Sequence, residues 1–124
     1  MSYDPANIFA KILRGEIPAD KVYEDEFVLA FRDIKAQARH HVLLIPKGAY
    51  VSFADFSDRA GDREITAFIR AVGAVARQLG IQESGYRLIS NAGPDSHQEV
   101  PHFHVHLVGG EPLGRMLLPR EERG

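Results

Sequence analysis

The run Gln98-Glu99-Val100-Pro101-His102-Phe103-His104-Val105-His106-Leu107-Val108-Gly109-Gly110 places histidine at every second position, and three of the chain's six histidines fall inside it. Polar and apolar side chains alternating with a period of two predict a β-strand with one face buried. His102, His104 and His106 then share one face, and Phe103, Val105 and Leu107 the other. Side chains two positions apart on a strand stand about 7 Å apart at the backbone. The imidazoles would therefore form a row that faces something polar, at the spacing of phosphate oxygens or metal ligands.

Around this strand the pattern predicts a small mixed domain. Ile8, Phe9, Ile12 and Leu13 recur at helical spacing behind two candidate N-caps, Asp4 and Asn7, and Gly15 and Pro18 end that helix. Lys21 to Glu24 and Phe27 to Asp33 read as a hairpin, with Phe27, Leu29 and Phe31 on one face. Residues 35–39 read as a loop. The apolar run His41-Val42-Leu43-Leu44-Ile45, stopped by Pro46, is a candidate central strand. After a loop at 57–61, Ile65, Phe68, Ile69, Val72, Val75, Ala76 and Leu79 form one stripe of a long amphipathic helix, with Asp62 placed to cap its start and Gly80 its end. Gly73 within it suggests either a close backbone approach or a tolerated glycine. Tyr86 to Ser90 reads as a strand and residues 91–96 as a loop. Strands grouped around one dominant helix, without regular βα alternation, favour an antiparallel α+β fold, with helices on one face and the other needing cover.

At 124 residues and 44% hydrophobic content the chain fits one domain, 1–124, with a real core. A net charge of -2 with both signs interspersed argues against nucleic acid, whose binding needs clustered Lys and Arg. There is no cysteine, which excludes disulfides, thiolate metal sites and a cysteine nucleophile. No leader-like start and no long apolar run are present, so the expected setting is the cytoplasm, away from membrane.

The histidine row admits three readings. It could be a solvent-facing polar edge, for which three residues in strict alternation is an expensive coincidence. It could chelate a transition metal with His41 as a further imidazole, although no carboxylate lies within the strand. Or it could serve phosphoryl or nucleotidyl transfer. A neutral imidazole, with an ordinary pKa of about 6.5, can attack phosphorus while neighbouring imidazoles donate hydrogen bonds to its oxygens, with no cofactor. Geometry favours the middle residue, His104, as nucleophile. Its other ring nitrogen then holds its proton against a fixed acceptor, expected to be a backbone carbonyl of a neighbouring segment.

The run from His102 to Val108 resembles the histidine triad (HIT) motif, three histidines alternating with hydrophobic residues. The likeness extends to Asn7-Ile8-Phe9-Ala10-Lys11-Ile12, Glu16-Ile17-Pro18, Ala30-Phe31-Arg32-Asp33-Ile34, His41 to Lys47, Gly85-Tyr86-Arg87-Leu88, and Gln98 to Gly110. Together these are similar to the HINT branch, the purine nucleoside phosphoramidate hydrolases, and Gly109-Gly110 with Pro112-Leu113-Gly114 most resemble its bacterial members. The resemblance implies a five-stranded antiparallel sheet with two helices, continued across a homodimer. It also implies cleavage of the P–N bond of a nucleoside 5'-phosphoramidate through a nucleotidyl-histidine. By motif, His104 would be the nucleophile, with His102, His106 and His41 as its polar network. Asp33 would hold the ribose hydroxyls. Ile8, Phe9, Phe31, Ile34 and Leu43 would form the purine slot, and Asn91, Gln98 and Glu99 would line the phosphate and leaving-group side. The chain departs from the family in the loop 35–40, which lacks the usual prolines. Ser96-His97 stands where a glycine pair is usual, and Glu111, where a basic residue is common, would disfavour acidic leaving groups.

Overall fold

A computed structural model describes residues 2–123. Strands β1 (Lys21–Glu24), β2 (Val28–Arg32), β3 (His40–Pro46), β4 (Tyr86–Ile89) and β5 (Val105–Gly109) form one antiparallel sheet in the order β1-β2-β3-β5-β4. The hairpin expected around Asp25 is present. Its turn is fixed by the Asp25 carboxylate, whose Oδ1 accepts from the amides of Phe27 and Val28. The strand β3 is buried on both faces, which is why its sequence is a continuous apolar run instead of an alternation.

The two faces of the sheet carry two separate clusters. Val28, Ala30, Val42, Leu44, Val105 and Leu107 pack with the long helix α3 (Asp62–Gln78), which lies over β1, β2 and β3. Phe68 and Val75 of that helix are 2% and 0% exposed; each contributes roughly 1.5–3 kcal/mol by burial. On the opposite face, Leu29, Phe31, Leu43 and Ile45 pack with Phe9 of the short helix α1 (Ile8–Leu13). Asn7 caps α1: its Oδ1 accepts from the Ala10 amide while its Nδ2 donates to the Asp4 carbonyl. Asn7 and not Asp4 is therefore the cap.

Several expectations are corrected. The segment before α3 is not all loop: Phe53–Arg59 forms a third helix, α2, capped by Ser52, so the α-helices among the described residues number three and not two. Its seven residues are too few for a helical period to stand out, and Phe56 alone of them is buried. Gly61, not Asp62, occupies the N-cap of α3, with the Glu64 carboxylate reaching back to its amide. No backbone approaches Gly73, whose nearest neighbour is the Arg77 guanidinium, so this glycine is simply tolerated. Ile69 belongs to the apolar stripe by spacing but is 63% exposed. A close approach does occur at Gly109, where an added Cβ would lie 2.9 Å from the Gly85 carbonyl oxygen. Among the described residues no helix is long and apolar enough to cross a membrane.

Candidate functional site

The histidine run is not a strand throughout. Pairing in β5 begins only at Val105, so His102 and His104 lie in an irregular segment ahead of the sheet and only His106 sits on a strand. The apolar half of the alternation holds as expected: Phe103, Val105 and Leu107 all enter the α3 core. The polar half does not form an open row. His102 is completely buried, with both ring nitrogens taken by the protein: Nε2 lies 2.8 Å from the Pro46 carbonyl and Nδ1 2.6 Å from the Tyr3 hydroxyl. It cannot donate to a phosphate as the flanking residue of a row would.

His104 is held differently. Its Nδ1 lies 2.7 Å from the carbonyl of His102, which can only accept, so the proton is on Nδ1 and the Nε2 lone pair is free. The acceptor is a backbone carbonyl, as expected, though it belongs to the same segment two residues back. Ser90 Oγ donates to the His104 carbonyl at 3.1 Å, and the Phe9 ring meets the imidazole edge to face at 5.0 Å. Nε2 has no hydrogen-bond partner among the described residues and is not sealed from solvent.

The second relay runs through His41 and His106. The Gln37 amide donates to His41 Nδ1 at 3.1 Å, so His41 carries its proton on Nε2 and presents it to His106 Nδ1, 2.9 Å away. His106 in turn keeps its proton on Nε2. The two rings at the site therefore have opposite polarity: His104 offers a lone pair, and His106, whose ring centre is 5.1 Å away, offers a donor. Asp33 Oδ2 lies 3.4 Å from His41 Nε2.

Burial keeps all four rings neutral. It pushes His102 and His106 down to about 4; a hydrogen bond to the Pro46 carbonyl opposes this at His102, and the proximity of His104 and His41 adds to it at His106. His41 and His104 are also lowered by burial, with Asp33 opposing the shift at His41 and the His102 carbonyl, Asp33 and Glu99 opposing it at His104. Linkage fixes the sign of the effect on stability. Below the unfolded value of 6.5 the unfolded chain binds a proton at His102 that the folded chain refuses until about pH 4, so stability falls with pH across that window. His102 alone should lower the unfolding free energy by about 2 kcal/mol between pH 7 and pH 5. Urea unfolding at the two pH values checks this, and an unchanged midpoint would contradict it.

The HIT domain family model matches residues 14–113. The chain belongs to the HIT family. Relatives in the family include a purine nucleoside phosphoramidase of Escherichia coli K12, 47% identical over 110 residues that span 89% of this chain and 92% of that protein. An uncharacterized 13.2 kDa HIT-like protein of Azospirillum brasilense is 58% identical over 116 residues, 94% of this chain and 95% of that protein. Among solved structures, a histidine triad protein from Clostridium difficile superposes with a TM-score of 0.80 at 37% identity, covering 94% of this chain and all of that one.

Within this HIT domain the remaining predicted site residues are distributed unevenly around the histidines. Phe9, Phe31 and Leu43 are buried together, 7%, 4% and 5% exposed, and Ile8 stands half-exposed beside them. Ile34 is 95% exposed and outside the core clusters, so it does not pack with the other apolar residues expected of a purine slot. Asp33 follows β2, its Oδ1 capping the Lys35 amide and its Oδ2 turned toward His41. Asn91 lines a cavity of about 290 Å³ together with Gln37, His41, Arg87, His106 and Leu113. Gln98 is committed to the loop itself: its amide donates to the Val51 and Val100 carbonyls and its oxygen accepts from Gly93, so its side chain is a brace and not a free phosphate contact. Glu99 is exposed, 3.4 Å from His97.

The departures from the family pattern also find their places. His97 takes a left-handed backbone, φ 60°, and so reproduces a conformation that glycine adopts more readily. Glu111 accepts from the Arg39 amide and ties the loop 35–39 to the end of the sheet. Sequence reasoning missed the groups that set the proton positions, namely the Gln37 amide, the Pro46 carbonyl and Tyr3, and also Ser90, which holds the His104 main chain. All four act on partners more than ten residues away or through the main chain, and local pattern carries no signal for either.

Proposed function

We propose that this HIT protein hydrolyses the P–N bond of purine nucleoside 5'-phosphoramidates, releasing an amine and a nucleoside monophosphate through a nucleotidyl-histidine. The observation that carries this reading is the opposed polarity of His104 and His106, a neutral lone pair beside a fixed donor. In the proposed course, His104 Nε2 attacks the α-phosphorus while His106 Nε2–H donates to a non-bridging oxygen, where negative charge accumulates. As the P–N bond breaks, the amine takes a proton from solvent; water then attacks phosphorus, giving up a proton to solvent while the P–Nε2 bond breaks and frees His104. The purine would rest against Phe9, Phe31 and Leu43 with Ile8 at the mouth, and Asp33 would accept from the ribose hydroxyls as a short carboxylate facing a diol. Asn91 and Glu99 would border the leaving group. The likeness to a relative named as a purine nucleoside phosphoramidase supports the substrate class.

The metal reading retains one geometric argument, because donor atoms of Asp33, His41 and His106 lie within 4.8 Å of one another. Against it stands the Gln37 amide. A cation on His41 Nε2 would require the proton on Nδ1, directly opposite the Gln37 backbone N–H that donates there. The test is hydrolysis by the purified protein, in chelator, of adenosine and guanosine phosphoramidates alongside dinucleoside polyphosphates. Preferential turnover of the phosphoramidates is the expected result. Activity lost to chelator and restored by zinc would contradict the mechanism, and preference for the polyphosphates would contradict the substrate class.

We also propose a homodimer through β4. This strand is an edge of the sheet, and because α3 lies over β1 to β3, a groove of about 360 Å³ remains beside Leu88, Ile69 and Phe53, which are 48%, 63% and 57% exposed. A second copy pairing β4 with β4 would continue the sheet and cover that groove on both subunits. Sedimentation at micromolar concentration should give twice the chain mass; a monomer would contradict the pairing.

A further inference from the structure

The position of the His104 proton depends on a carbonyl that the sheet does not hold. Ladder pairing starts at Val105, so the His102 carbonyl, which takes the His104 Nδ1 proton, lies outside the regular hydrogen bonding of β5. Main-chain support nearby comes from the Phe103 amide, which donates to the Tyr50 carbonyl at 2.7 Å. Ser90 Oγ holds the His104 carbonyl, and the anchors on His102 itself belong to its ring. Since the Pro46 carbonyl only accepts, His102 carries its proton on Nε2, and Nδ1 must accept; the Tyr3 hydroxyl, 2.6 Å away, is the donor.

Tyr3 is brought there by the start of the chain. Asp4 Oδ1 accepts from the Ala6 amide and the Asp4 carbonyl accepts from both the amide and the side chain of Asn7, which in turn caps α1. The turn so formed sets the Tyr3 ring edge to face on His102 with centres 5.5 Å apart, while Phe9 of the same helix covers His104. One local motif thus places a hydroxyl on one histidine and an aromatic wall on the next.

We propose that Tyr3 is a positioning residue for the nucleophile: by donating to His102 Nδ1 it fixes the His102 ring and carbonyl, and through that carbonyl it keeps the His104 proton on Nδ1 and the lone pair on Nε2. The proposal rests on His104 being the attacking group. Removing the hydroxyl leaves a buried ring nitrogen unpaired, and the ring can recover a partner only by turning, which moves the carbonyl that His104 needs.

The test is Tyr3→Phe in the full chain, which keeps the ring and removes only the donor. Its kcat on an adenosine phosphoramidate, normalised to folded protein, should fall about tenfold with KM within about twofold. The imidazole nitrogen NMR spectrum should show His104 shifting from a pure Nδ1–H form toward a mixture of tautomers. A structural role alone would lower the melting temperature and leave kcat per folded molecule and the tautomer unchanged, and that outcome overturns the proposal. Should the variant fail to fold, the spectrum of the unaltered protein decides: His102 as the Nε2–H form supports the donor role of Tyr3, and His102 as the Nδ1–H form overturns it. A His104→Ala protein that keeps full activity would overturn instead the assignment on which the proposal rests, so the two failures are distinguishable.

Discussion

Replacing His104 by alanine is expected to lower turnover of a nucleoside phosphoramidate by roughly a thousandfold or more while leaving the protein folded. The size of the effect follows from the uniqueness of its free nitrogen. His102 has both nitrogens bound to protein, His41 is occupied by Gln37 and His106, and His106 has its outward nitrogen protonated. No neighbour can supply a lone pair without breaking one of these bonds and moving the segment ahead of β5. Steady-state rates and the circular dichroism spectrum of the variant check this together; a folded His104→Ala protein with near-normal turnover would refute it.

His102→Ala should cost the protein much of its stability, besides any loss of turnover that follows from freeing the carbonyl that orients His104. The ring is fully buried and joins the Pro46 carbonyl to the Tyr3 hydroxyl, with Phe9 and Tyr3 packed around it. Its removal opens a cavity and strands a buried carbonyl, at a cost of about 3 kcal/mol. A urea unfolding curve measures it. A loss below about 1 kcal/mol would mean that the ring is not the linchpin that its contacts describe. The contrast between the two variants is informative because alternation makes the two residues look equivalent, whereas the fold assigns one to the protein interior and the other to the site.

That contrast also marks where the sequence could be read and where it could not. The stripe from Ile65 to Leu79, the apolar run of β3 and the apolar half of the histidine run are repeated patterns, and each packs as its period predicts apart from the exposed Ile69. Seven-residue α2 has no such repetition and went unseen. The polar half of the histidine run misled, because a period of two reports which way side chains alternate, not where ladder pairing begins or what covers each side chain. Gln98 shows the same limit: a polar residue beside a phosphate loop looks like a ligand, but its amide is spent on Gly93, Val51 and Val100. Asp33 turns its free carboxylate oxygen toward His41, a relation that no local pattern could show. Tyr3 lies 99 positions from the histidine it touches, and only the folded chain brings the two together.

The central claim is that the His104 Nε2 lone pair attacks phosphorus without a metal, and trapping the adduct tests it most directly. The purified protein in chelator would be mixed with a phosphoramidate labelled at the α-phosphate, quenched within a single turnover, and mapped by digestion. The account predicts a labelled peptide containing His104, with an acid-labile and base-stable linkage typical of phosphorus on an imidazole nitrogen. Label on His102 or His106, or turnover without any adduct, would contradict it.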